Sequence, residues 1–223
     1  MNSDYMANYL NAIGNPLPEL AKTFEEELEF LKKQVTSRSS LLDVGCGAAR
    51  PAVDAAAFVK NLVGIDNDPR VLEVAVKRCE NLPNARFIRE DALNMGFTSK
   101  TFDVSFCTYN LIGTLKKSER QRLVNEMARV TRPLGKVINI TWKQDKKTTE
   151  FLKKYYPSIG IKIFEIDESK TVTSKGTFER LSKKELQEYY SETNLADLAF
   201  LDIGPLWYAV VGSKPKGQFD DLV

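Results

Sequence analysis

The strongest constraint on the fold is an alternation between short apolar runs of strand length and segments with helical spacing. SLLDV (40–44) runs into a glycine turn, and Pro51, suited to a first helical turn, opens a helix over 51–60. NLVGIDND (61–68) is a second short strand ending in acids, and Pro69 opens a helix over 69–82. ARFIRED (85–91) and TFDVSFCTYN (101–110) read as strands. Residues 117–132 read as a helix with Leu123, Met127 and Val130 on one face, and KVINITW (136–142) as a further strand. Strands interleaved with helices in this way imply a parallel sheet with helices on both faces and right-handed crossovers.

The two ends depart from this rhythm. Residues 17–36 have an apolar stripe of Leu20, Phe24, Leu28, Leu31 and Val35, so residues 1–36 are expected to form a helical cap. Residues 145–156 suggest a helix, and 161–169 and 170–180 suggest two strands around a polar turn. Together they make residues 145–180 a substrate-lid insertion with a small strand pair. Ser182 with Glu185 is a capping box. Residues 195–203 and 206–213, joined by Gly204-Pro205, read as an antiparallel hairpin at the sheet edge. No repeat or linker interrupts the chain, so residues 1–223 are expected to form one domain.

Composition removes several chemistries. The chain has no histidine, hence no Ser-His-Asp triad, no Cys-His pair and no imidazole base. Cys46, Cys79 and Cys107 are widely spaced and odd in number, which argues against a disulfide framework and against a metal site. A formal net charge of +2 argues against a nucleic-acid surface. The first residues lack a signal-peptide pattern and no apolar run has membrane-spanning length, so a cytoplasmic monomer or homodimer is expected.

The chemistry-bearing segment is Leu41-Leu42-Asp43-Val44-Gly45-Cys46-Gly47-Ala48-Ala49-Arg50. Gly45 and Gly47 let a ligand approach the turn backbone closely. Asp66, at the end of the next strand, can accept both hydroxyls of a ribose. Arg50 stands where a dinucleotide loop prefers a small residue, and the phosphate-binding Gly-Lys-Ser/Thr pattern is absent. From about Ser40 to Lys143 the chain resembles the class I S-adenosylmethionine-dependent methyltransferases. LLDVGCGAAR is similar to their glycine-rich first motif, with Ala49 replacing the last glycine, a change that costs little only if φ there is negative. VGIDND, FIREDALNMGFTSKTFDVSFC and EMARVTRPLGKVINI are similar to their later motifs, with Leu134 replacing a glycine.

The resemblance implies a Rossmann-like, doubly wound seven-stranded sheet, mostly parallel with an antiparallel C-terminal edge strand. It implies S-adenosylmethionine as cofactor, with no metal. Asp43 would orient the glycine loop or reach the methionine amino group, Gly45, Cys46 and Gly47 would seat the cofactor, and Asp66 would hold its ribose. Asn67, Asp91 and Ala92 would lie at the adenine, and Thr108 at the cofactor. Tyr109 and Asn110, at the end of the fourth strand, are candidates near the reacting methyl. Tyr5, Tyr9 and Trp142 join them as substrate candidates. Without histidine, an amine nitrogen or an ionised oxygen is the favoured acceptor, because neither needs an imidazole to take its proton. A small-molecule substrate is expected. A protein or RNA substrate, and a non-catalytic cofactor-binding subunit, are the other readings.

Overall fold

The computed structural model describes residues 3–216, with side chains from Ala7 onward. Helices α1 (Ser3–Gly14) and α2 (Pro18–Gln34) precede the sheet. Five strands are mutually parallel: β1 (Ser40–Val44), β2 (Asn61–Asp66), β3 (Ala85–Arg89), β4 (Phe102–Cys107) and β5 (Thr131–Trp142). The hairpin of β9 (Ala196–Ile203) and β10 (Trp207–Ser213) completes a seven-stranded sheet of order β3-β2-β1-β4-β5-β10-β9. The reversed strand is β10, which lies antiparallel between β5 and β9. Strand order reverses between β1 and β4, which opens a crevice beyond their carboxyl ends.

Helices cover both faces, because successive strand residues point to opposite sides. Leu41 of β1, with Trp207, Ala209 and Val211 of β10, packs in one cluster with α2, α3 (Arg50–Ala55), α4 (Pro69–Arg78) and α7 (Lys146–Ser158). Leu42 and Val44, with Tyr208 and Val210, pack in the other with α5 (Leu111–Thr114), α6 (Lys117–Val130) and α8 (Lys183–Glu192). Among the described residues no helix is long and apolar enough to cross a membrane.

Four details differ from the sequence reading. The helix expected over 51–60 ends at Ala55 in a 3-10 turn (Ala56–Phe58), where the Asn84 side chain donates to the carbonyls of Ala56 (2.8 Å) and Val59 (3.0 Å). The buried face of α2 runs through Leu20, Thr23, Glu27, Phe30 and Leu31, with Leu28 only half-buried, because Glu27 has an internal partner described below. β5 begins at Thr131 rather than Lys136, with a register shift opposite Phe102 and Val104 that absorbs the extra residues.

The fourth difference is in the segment 145–180, which holds three strands instead of a pair: β6 (Ile163–Ile166), β7 (Lys170–Thr173) and β8 (Gly176–Glu179). The single strand expected over 170–180 folds back because Thr173 Oγ1 donates to the Gly176 carbonyl (2.9 Å) and accepts from Lys175 N (3.0 Å), while Gly176 takes φ +128°. The capping box at Ser182 and Glu185 is present.

Leu134 sits at the β5 bulge at φ 64° with 70% of its surface exposed, so it carries left-handed strain without packing in return. Left-handed backbone costs a side-chain-bearing residue roughly 1–2 kcal/mol, partly offset on the glycine side by unfolded-chain entropy. Leu134→Gly is therefore expected to raise stability by about 0.5–1 kcal/mol, read as a higher denaturant midpoint at unchanged slope.

Candidate functional site

The site grows from the turn after β1. Gly45 (φ 70°), Gly47 (φ 51°) and Ala49 (φ 59°) are all left-handed, so the chain reverses tightly before α3. Ala49 thus keeps the backbone geometry of a glycine despite its methyl group. The turn is pinned to β2: Cys46 N donates to the Ile65 carbonyl (2.9 Å) and Gly47 N to Asp66 Oδ2 (3.0 Å). A Cβ at Gly45 would lie 2.8 Å from Leu111, and one at Gly47 would lie 2.6 Å from the Tyr9 hydroxyl. The bare backbone at Gly47 is what lets α1 close over the turn.

Beneath the turn lies a buried charge cluster. Glu27 of α2, fully buried, makes an ion pair of 2.5 Å with Arg50 and accepts a hydrogen bond from Thr108. The Arg50 guanidinium lies 3.9 Å from the centre of the Phe24 ring, 5.5 Å from Trp207 and 5.7 Å from Tyr109, a cation–π setting. Asp43 at the end of β1 is fully buried, and neither carboxyl oxygen has a hydrogen-bond partner. Burial, and then the Glu27 charge, push the Asp43 carboxyl well above the usual carboxylate range. Burial also raises Asp66, against the opposing hydrogen bonds from the Asp68 and Gly47 amides. Of the three carboxyl groups near the turn, Glu27 pairs with Arg50 and Asp66 accepts from the Gly47 and Asp68 amides, which leaves Asp43 without a partner.

Two adjoining cavities flank the turn. One, of about 220 Å³, is lined by Tyr9, Gly45, Gly47, Asp66, Asn67, Thr108, Tyr109 and Leu111. It shares Gly45, Asp66, Asn67 and Leu111 with a cleft of about 280 Å³ that also takes in Asp91 and Ala92. On the far side of Tyr9 and Tyr109 is an aromatic chamber of about 100 Å³, walled also by Asn110, Trp142, Tyr155, Tyr156 and Phe178. Rings meet there at steep angles: Tyr9 and Tyr109 at 72°, Tyr109 and Trp142 at 56°, Trp142 and Tyr155 at 47°.

Of the residues singled out from sequence, Asp43, Gly45, Gly47, Asp66, Asn67, Thr108, Tyr9 and Tyr109 gather around the turn, and Asp91 and Ala92 line the adjoining cleft. Cys46 is present through its backbone only: its side chain packs against Gly64 under the turn, where burial pushes the thiol up. Asn110 lines the chamber, but its amide is committed, donating to the Glu179 carbonyl (3.0 Å) and accepting from Thr141. Tyr109 bonds the Tyr155 hydroxyl, and burial keeps its phenol protonated far above its ordinary value, so it is no phenolate base. Trp142 is 3% exposed and forms the chamber floor. Tyr5 is in α1, and its side chain lies outside the described residues.

Residues 41–135 match the family model of a methyltransferase domain. A sterol 24-C-methyltransferase of Kluyveromyces lactis is 27% identical over 169 residues, covering 70% of this chain and 45% of that enzyme. The chain spans less than half the length of the sterol methyltransferases it matches. An S-adenosylmethionine-dependent methyltransferase structure from Aquifex aeolicus shares the fold at TM-score 0.68 and 15% identity, covering 96% of this chain and 99% of that one. A phosphoethanolamine N-methyltransferase 2 structure of Haemonchus contortus, in complex with S-adenosylmethionine, shares it at TM-score 0.64 and 17% identity, covering 86% of this chain and 53% of that one. At these identities the structural likeness establishes the fold alone.

Two residues of the site were passed over in the sequence reading, Glu27 and Arg50 in its role as an ion-pair partner. The available signal for Glu27 was its place one turn after Thr23 on the buried face of α2. Among the described residues no group of three acidic, cysteine or histidine side chains could hold a metal ion.

Removing one member of a buried ion pair costs about 3–5 kcal/mol, because the other charge is stranded. Glu27→Gln is expected to lower stability by that much, and adding Arg50→Met to restore part of it, as measured by denaturant unfolding. Asp43 gives a second test. Its raised folded-state pKa means that its stabilising share is full below the unfolded value of about 3.9 and is lost as pH rises through the folded value. Asp43→Asn should therefore flatten the stability profile of the unliganded protein from pH 4 upward, relative to a native protein that weakens with rising pH.

Proposed function

We propose that the chain is an S-adenosylmethionine-dependent methyltransferase acting on a small-molecule nucleophile, with an amine nitrogen or an ionised oxygen as acceptor. The observation that carries this reading is the orphaned, buried carboxyl of Asp43 beside the bare backbone of Gly45 and Gly47. A cofactor bearing an ammonium would supply the hydrogen-bond donors that the Asp43 carboxyl lacks. Asp66 takes the ribose hydroxyls, Asn67, Asp91 and Ala92 border the adenine, and Asp43 and Thr108 hold the amino-acid end. When bound, S-adenosylmethionine supplies a methyl group already activated for displacement.

The protein then has to align an acceptor with that methyl and exclude water. Alignment alone is worth effective molarities on the order of 10⁵ M or more in model reactions. Tyr9 and Tyr109 stand between the glycine turn and the aromatic chamber and line both cavities. They are the residues able to hold a nucleophile against the cofactor. The chamber lies under a lid clamped shut by two contacts at Glu179. Its carbonyl accepts from Asn110, and its carboxylate pairs with buried Arg120 at 2.7 Å. An enclosed chamber of this size favours a small molecule over a protein or RNA segment.

Calorimetry with S-adenosylhomocysteine tests the reading: the native chain is expected to bind it, and no binding would overturn the proposal. Asp66→Ala should weaken binding roughly 10–100-fold, the worth of hydrogen bonds to a charged group. Gly47→Val, which drives a side chain into the Tyr9 hydroxyl, should abolish it.

A further inference from the structure

We propose that the aromatic chamber selects a small aliphatic amine carrying no anionic group, and that it retains the N-methylated ammonium product for further rounds. This rests on the methyltransferase reading and narrows its acceptor. Six rings wall the chamber: Tyr9, Tyr109, Trp142, Tyr155, Tyr156 and Phe178. Aromatic π faces attract an ammonium, and these rings meet at angles from 23° (Tyr156 with Phe178) to 72° (Tyr9 with Tyr109), so they are not all coplanar. None of the described lining residues carries a charge.

The cations nearby are already occupied. Arg50, beyond the Tyr109 ring, is paired with Glu27. Arg180, which interacts with Tyr156, commits its donors to the carbonyls of Asp167, Glu168 and Lys170 and to the Thr171 hydroxyl. Arg120 pairs with Glu179. A carboxylate or phosphate on the substrate would thus be buried with no counter-ion, a penalty that an amine escapes. The polar groups in the wall are phenols, the Thr114 hydroxyl and the committed Asn110 amide, and their oxygens can accept an N–H. About 100 Å³ has room for a handful of non-hydrogen atoms, not for a nucleotide or a sterol.

The chemistry balances without a protein base. The nitrogen lone pair forms the new N–C bond as the C–S bond breaks onto sulfur, and the surplus proton on nitrogen passes to solvent. The amine must therefore enter unprotonated, because the buried Tyr109 phenol does not ionise to take its proton. Turnover should rise ~tenfold per pH unit below the amine's own pKa.

The test uses the full chain with two readouts. In calorimetry on the protein saturated with S-adenosylhomocysteine, trimethylpropylammonium is expected to bind, whereas butyrate and the neutral isostere 2,2-dimethylpentane are not. With S-adenosylmethionine, propylamine should be methylated with kcat/KM at least ~tenfold above β-alanine, the same chain bearing a carboxylate, and butyrate should not react. Thr114→Lys, at an exposed position that borders both the chamber and the cavity over the glycine turn, should shrink that ratio by lending β-alanine a counter-ion, the ratio cancelling any common effect on the cofactor. Equal or better turnover of β-alanine or butyrate by the native chain would overturn the inference. So would ammonium binding no tighter than that of 2,2-dimethylpentane, or an unchanged ratio in Thr114→Lys. Absence of S-adenosylhomocysteine binding would remove the methyltransferase reading itself; binding of S-adenosylhomocysteine without the ammonium would remove only this narrowing.

Discussion

The arrangement turns on one buried ion pair. Arg50 follows a left-handed turn and points into the interior, where three aromatic rings and a single carboxylate, Glu27, receive it. A guanidinium held this deep needs its partner, so α2 has to dock with Glu27 facing inward, and the cap is thereby locked onto the glycine turn. Thr108 at the end of β4 bonds the same carboxylate, which ties the two sides of the crevice together. With Glu27 answered by Arg50, Asp43 is left without a partner. Asp66, by contrast, lines both cavities over the turn and accepts from the Gly47 and Asp68 amides.

Around that centre, shared walls do the work of alignment. Tyr9 and Tyr109 belong to both the cleft over the glycine turn and the aromatic chamber. Tyr109 and Asn110 both take left-handed backbone, at φ 57° and 66°, an uncommon state for residues with side chains. The strain is held by Thr141, Tyr155 and the lid carbonyl of Glu179. Its effect is to turn the chain at the end of β4 so that a ring lies across the boundary between cavities. The lid approaches this turn so closely that a Cβ on Gly113 would collide with the Glu179 carbonyl.

Much of this was legible in the chain. Strand-length apolar runs that end in glycine or acid, each followed by a helix, are local signals, and β1 to β4 fall close to where those runs place them. Asp43, Gly45, Gly47 and Asp66 sit at strand ends, so their convergence follows once the strands are parallel. The lid was read less well. The three-residue reach of Thr173 to Gly176, which makes two strands out of one, depends on a side-chain bond that a polar turn does not announce. Glu27 escaped for a related reason: hydrophobic periodicity counts a glutamate as outward-facing, and only a partner from another element reverses that.

The sequence alone determined the sheet, its crossovers and the glycine turn, because these rest on backbone sterics and on spacing along a single stretch of chain. Tertiary structure decided the rest: which charges are paired, which carboxyl is left alone, and which rings meet to enclose a chamber. Those depend on groups brought together from α1, α2, β4, β5, α7 and β8. Burial removes the water that would otherwise answer every charge, so a buried charge depends on counterparts from distant residues, as Arg50 does on Glu27, and Asp43 is the buried carboxyl left without one.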